Sequence, residues 1–140
     1  MSLHFEVVYS FFLRDDTPPE TLDELRYHLG LSEIRPPNLV VDYDHPVLEP
    51  VAESYLPGGE HVALRRQSRG RNRDGEIYAW GLYARLYWVD DQWAEVWWQV
   101  AQWLAPYAAD DGYGGFYREE QDERPTPFMV SNGELRMDED

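Results

Sequence analysis

The sequence predicts an α+β fold: a single domain in which an antiparallel sheet carries two helices on one face, in a ferredoxin-like arrangement with an added C-terminal hairpin. Three observations predict it. The chain opens on a strand-like alternation, two segments near residues 17–30 and 90–105 have helical spacing, and the runs between and after them have a period of two. One domain is what 140 residues accommodate, and a composition that is 43% apolar and 15% aromatic supplies its core.

From Leu3 to Arg14, one strand face takes Leu3, Phe5, Val7, Tyr9, Phe11 and Leu13, and the other takes His4, Glu6, Ser10 and Arg14 with Val8 and Phe12. Thr17-Pro18-Pro19-Glu20 has the form of a capping box, with threonine at the N-cap, proline at the first helical position and glutamate at N3. Leu22, Leu25, Tyr27 and Leu29 then give a first helix its apolar side, and Gly30 ends it. Residues 31–60 hold half of the ten prolines and the pair Gly58-Gly59, which reads as an extended excursion with one short strand at Leu39-Val40-Val41. A loop of that length either packs as a lid or carries function.

Residues 61–67 and 76–89 read as two strands joined by an Arg-rich turn over 68–75. Tyr78, Trp80, Leu82, Ala84, Leu86 and Trp88 make an apolar face on the second, with Tyr83, Arg85 and Tyr87 on the other side. Asp90 or Asp91 caps a second helix running to about Ala105, with Trp93, Val96, Trp97, Val100, Trp103 and Leu104 at helical spacing and Trp98 off that stripe. A strand over 113–118 and an acidic turn over 119–124 follow. Asn132-Gly133 then closes a final hairpin, and a solvated acidic tail occupies 138–140.

Twelve basic against 27 acidic residues give a net charge of -15. All of the basic residues are arginine and there is no cysteine, which removes Schiff-base and phosphate-loop lysines, thiolate catalysis, disulfides and cysteine metal sites. A carboxylate coat repels phosphate backbones and anionic lipid and speeds encounter with cationic surfaces, so a basic protein partner is expected, with neither nucleic acid nor membrane. His4 and Glu6 interrupt the apolar start, no basic segment precedes it, and no apolar run is long enough to span a bilayer. The expected setting is cytoplasmic.

Most of the tryptophans between Trp88 and Trp103 read as helix–sheet core, which leaves Trp98 as an exposed anchor for a partner or a dimer contact. The face opposite the helices gathers His4, Glu6, Tyr83, Arg85 and Tyr87. A His and a Glu two residues apart can act as base and orienter and Arg85 can hold an anion, though ordinary cross-strand pairs account for the same residues. Asp42-Tyr43-Asp44-His45, with Glu49, Glu53 and His61, offers oxygen and imidazole ligands, but no metal motif has that spacing and an Asx turn before Pro46 explains it. No metal or cofactor is assigned. Gly112-Tyr113-Gly114-Gly115 lacks the partners of a phosphate cradle and no nucleophile elbow is present, so no catalytic residue is named. Residues 60–73 carry five arginines against one acid and read as a hairpin tip that pairs with the protein's own acids or orients a partner.

Two function classes remain: a non-catalytic acidic binding protein, and a small-ligand-binding or enzymatic domain that uses the open sheet face, with two copies enclosing a cavity between their sheets. One further pattern bears on the first. Ala105-Pro106-Tyr107, the run from Gly112 to Glu120, an acidic gap and the run from Phe128 to Leu135 resemble the small acidic α+β immunity proteins encoded beside bacterial polymorphic toxins. That resemblance implies an inhibitor that docks an acidic surface on a cationic toxin without chemistry. Glu119, Glu120, Asp122 and Glu123 would supply its charge, and Trp98, Tyr113 and Tyr117 its anchors.

Overall fold

The amino-terminal alternation places β1 (His4–Arg14) inside a six-stranded sheet in the computed structural model, which describes residues 3–137. The tail at 138–140 lies outside the described residues. The other strands are β2 (His61–Asn72), β3 (Gly75–Val89), β4 (Gly112–Glu119), β5 (Thr126–Ser131) and β6 (Glu134–Met137). Their order is β2-β3-β1-β4-β5-β6 and every neighbouring pair is antiparallel. The fold is therefore α+β.

Two helical segments complete it. The first is α1 (Pro19–His28); the second is continuous but irregular, running through α2 (Asp90–Gln92), a π turn (Trp93–Trp97), α3 (Trp98–Leu104) and a 3-10 turn (Ala105–Tyr107). Leu25 and Leu29 from the first and Val96, Trp97, Val100, Trp103 and Leu104 from the second share one core with Val7, Tyr9 and Leu13 of β1 and Leu82, Ala84, Leu86 and Trp88 of β3. Both segments thus cover the same sheet face, and the period of two leaves His4, Glu6, Tyr83, Arg85 and Tyr87 on the other. Among the described residues no helix is long and apolar enough to cross a membrane.

Several local expectations are corrected. Thr17 does not cap α1: its hydroxyl donates to the Arg14 carbonyl at 2.6 Å, and the N-cap position is Pro18 without a side-chain bond. No capping box forms because the threonine closes the turn behind it. Neither Asp90 nor Asp91 is the second N-cap, which is Val89, whose N–H is taken by the Gln92 side chain at 3.3 Å. The Arg-rich stretch is strand and not turn. Pairing continues to Asn72 opposite Gly75, so only Arg73 and Asp74 connect β2 to β3, with a bulge between Ser68 and Arg71. Asn72 Oδ1 accepts the Asp74 N–H at 2.8 Å and Gly75 takes φ +118°, a turn that fewer residues can close than the sequence pattern allowed.

Leu39-Val40-Val41 forms no strand, because the N–H groups of Val40 and Val41 go to the carboxylate of Glu24, each at 2.8 Å. Glu24 is buried in α1 and also meets His28 Nε2 at 3.2 Å. The Val47 N–H donates to His28 Nδ1 at 3.4 Å and the Leu48 N–H to the His28 carbonyl at 2.9 Å. These bonds strap residues 40–48 to the last turns of α1, and Val41, Val47 and Leu48 join the core beneath.

Because Val47 donates to Nδ1, His28 is neutral with its proton on Nε2. Burial lowers its pKa below the ordinary 6.5, against the opposing pull of Glu24. A depressed histidine pKa gives stability that is fully present above 6.5 and is lost as pH falls below it toward the folded-state value. In urea unfolding, wild type is expected to lose more stability than His28→Gln between about pH 7.5 and about pH 5.5. Equal losses would contradict a neutral, buried His28.

Candidate functional site

The open sheet face brings His4, Glu6, Arg85 and Tyr87 together. Glu6 lies opposite Tyr87 in β3 and opposite Arg118 in β4. Its two carboxylate oxygens take Arg85 Nε at 2.8 Å and Arg118 Nε at 3.3 Å. Arg85 Nη1 also donates to the carbonyls of Pro57 and Gly59 at 2.6 and 3.0 Å, which ties the end of the long excursion across this face. His4 stacks on Tyr87 with ring centroids 5.2 Å apart, and the Tyr87 hydroxyl donates to Glu120 at 3.0 Å. Burial and that bond hold the Tyr87 phenol above its usual pKa. Glu6 and Arg85 pair with each other, and His4 and Tyr87 both meet Glu120. Tyr83 stands apart from them.

The residues expected to anchor and charge a partner interface are divided. Trp98 is 43% exposed, with its ring 5.8 Å from that of Trp97. Tyr117 faces the helical layer, 5.0 Å from Trp93 and 5.2 Å from Trp97, whereas Tyr113 is 55% exposed on the open face. Four positions apart in a regular strand, the two tyrosines would share a face. A bulge between Tyr113 and Gly115, with Gly115 at φ +144°, breaks the alternation. In the acidic turn, Asp122 accepts the Glu119 N–H at 3.1 Å and Glu119 accepts the Gln121 N–H at 3.0 Å. Glu120 turns to His4 and Tyr87, and Glu123 is exposed.

Hollows among the described residues include the following. One of about 450 Å³ lies between α1 and residues 32–38, where Arg26 and Arg35 offset Glu20 and Asp23. A cup of about 390 Å³ on the open face is lined by Ser10, Phe12, Ala63, Arg65, Gly81, Tyr83, Asp110, Asp111 and Tyr113. A groove of about 390 Å³ runs where residues 43–60 cross the uncovered end of β3 and meet α2 and the π turn. Glu49, Glu60, Asp91 and Glu95 line it with Tyr43, His45 and Tyr87, and among the described residues no arginine does. One oxygen of Glu60, Oε2, is buried without a hydrogen-bond partner. Gln99 donates to the Tyr43 hydroxyl at 2.8 Å and fixes that wall to the helical segment.

Neither the groove nor the cup was assembled from the sequence. The groove's residues come from segments some forty positions apart, as Tyr43 and Tyr87 are, and nothing in either stretch announces the other. Among the described residues no three His, Asp or Glu side chains converge as a metal site. Comparison with protein-family models, curated proteins and solved structures found no match to this chain.

Proposed function

We propose that the protein is a non-catalytic acidic binding module that docks a cationic protein, in the manner of an immunity protein on a basic toxin. Its groove beside β3 receives arginine or lysine side chains of that partner. The observation that carries this reading is the groove's unanswered charge: four carboxylates and no arginine, in a chain of net charge -15. A guanidinium entering there meets carboxylates that can take it pairwise, in a groove that Tyr43 and Tyr87 also line. Glu120, at the hydroxyl of Tyr87, carries the negative edge on into the 119–123 turn. Trp98, three positions beyond Glu95, supplies an exposed aromatic anchor. Long-range attraction by the whole coat speeds encounter and weakens with salt.

The strand order supports reading β1–β4 with the two helical segments as a ferredoxin-like core and β5–β6 as its added hairpin. Titration with an oligoarginine peptide at low ionic strength tests the function. The double variant Asp91→Asn/Glu95→Gln is expected to bind about tenfold more weakly than Glu20→Gln/Glu33→Gln, which removes the same charge elsewhere, a difference of about 1.4 kcal/mol. Equal weakening by the two variants would mean that only total charge matters and would overturn the assignment.

A further inference from the structure

The open-face cup stands apart from the acidic groove, and its chemistry is different. Its floor is low because three neighbouring strands contribute small residues there: Ser10 from β1, Ala63 from β2 and Gly81 from β3. A Cβ at Gly81 would come within 2.7 Å of the Gln67 amide oxygen and 3.3 Å of the Phe12 ring, so glycine is what keeps the depression open. Tyr83 and Tyr113 stand on its walls, 39% and 55% exposed, with ring surface turned to solvent. Burial, with Tyr83 nearby, raises the Tyr113 phenol, which remains a neutral hydrogen-bond donor at physiological pH.

Arg65 sets the charge. Its neighbour Arg66 lies on the opposite face and is held by both oxygens of Asp15 at 2.8 and 3.0 Å, and Arg69 is paired with Asp110. Arg65 lines the cup with no carboxylate partner among the described residues. A guanidinium fork beside aromatic walls matches a carboxylate on a flat ring, because the fork donates to two parallel oxygens while the ring removes apolar surface from water. Of the two aspartates that line the cup, Asp110 is ion-paired with Arg69, and Asp111 accepts the Asn132 N–H at 3.0 Å and has no cationic partner among the described residues. A second anionic group on the ligand would meet Asp111.

We propose that this cup is a binding site for a small planar aromatic monocarboxylate. The volume of about 390 Å³ lies in the range of small-molecule sites and suits a one- or two-ring compound. The site is independent of the proposed partner groove, and either can fail without the other.

The test uses 2-naphthoate as probe, followed by amide chemical shifts and by the aromatic fluorescence of the intact chain. Saturable binding is expected, with shifts at Ser10, Ala63, Gly81 and Tyr113. Naphthalene-2-carboxamide and a naphthalene dicarboxylate are each expected to bind about tenfold more weakly, the scale of one lost charge-assisted contact. Arg65→Met should abolish the preference for carboxylate over carboxamide, whereas Arg73→Met, which removes the same charge at the hairpin tip, should leave it intact. Gly81→Ala should weaken both ligands together by filling the floor. Thermal melts of each variant separate a lost site from a lost fold. No saturable binding by wild type, shifts that map outside the cup, or a carboxylate preference that survives Arg65→Met would each overturn the proposal.

Discussion

Replacing Glu24 by alanine is expected to remove about 4 kcal/mol of stability and to lower Tm by on the order of 10 °C. The buried carboxylate takes the N–H groups of Val40 and Val41 and the Nε2–H of His28, and its removal takes away the acceptor of all three. Each bond to a charged acceptor is worth about 1.5–3 kcal/mol, and the orphaned donors carry a desolvation cost of their own. Glu24→Gln keeps one acceptor oxygen and is expected to lie between wild type and Glu24→Ala. The loss has an address beyond Tm: amide exchange at Val40, Val41 and Val47 should accelerate first, since these bonds strap the excursion to α1. A Glu24→Ala protein within about 1 kcal/mol of wild type would mean that the strap does not depend on this carboxylate.

Gly115→Ala carries an expected loss of about 3 kcal/mol or more. Its φ of +144° disfavours any side chain, and the added Cβ would sit 2.0 Å from the Val8 carbonyl and 2.9 Å from the Phe128 ring. Backbone on one side and a buried ring on the other leave nothing to move cheaply. Gly58→Ala separates the two causes, because Gly58 has φ +80° but nothing within 4 Å of its Cβ position. It should cost only the conformational strain, about 1–2 kcal/mol. Were denaturant unfolding to give the two variants equal losses, the close approach of β4 to β1 would have no energetic consequence.

That same glycine marks where sequence patterning stopped being a guide. The alternations of β1 and β3 were legible because each strand buries one face, and a period of two then assigns every residue to a side. Trp98 was legible for the corresponding reason on the helical segment, where it falls outside the apolar stripe. Tyr113 and Tyr117 were named together as anchors on the strength of the resemblance, and the bulge between Tyr113 and Gly115 puts them on opposite faces; a glycine pair signals irregularity but not which way the chain steps. Thr17 has the letters of a cap, yet its hydroxyl reaches the Arg14 carbonyl first. Glu24 and His28 sit four apart on a helix, the spacing that exposed pairs also have. Only the excursion folding over them reveals that they are buried and that the N–H groups of Val40 and Val41 have left the strand ladder. The Glu6, Arg85 and Arg118 network needed the register of three strands, which composition does not contain.

The most direct test of the central claim, that a carboxylate groove beside β3 receives a cationic partner, is amide chemical-shift mapping of the labelled protein titrated with an oligoarginine peptide. Perturbations are expected to concentrate at Tyr43, Glu60, Tyr87, Asp91, Glu95 and Trp98 and to weaken as salt rises. Shifts spread evenly over exposed carboxylates remote from the groove, such as Glu20 and Asp23 of α1, with none favoured at the groove, would contradict it.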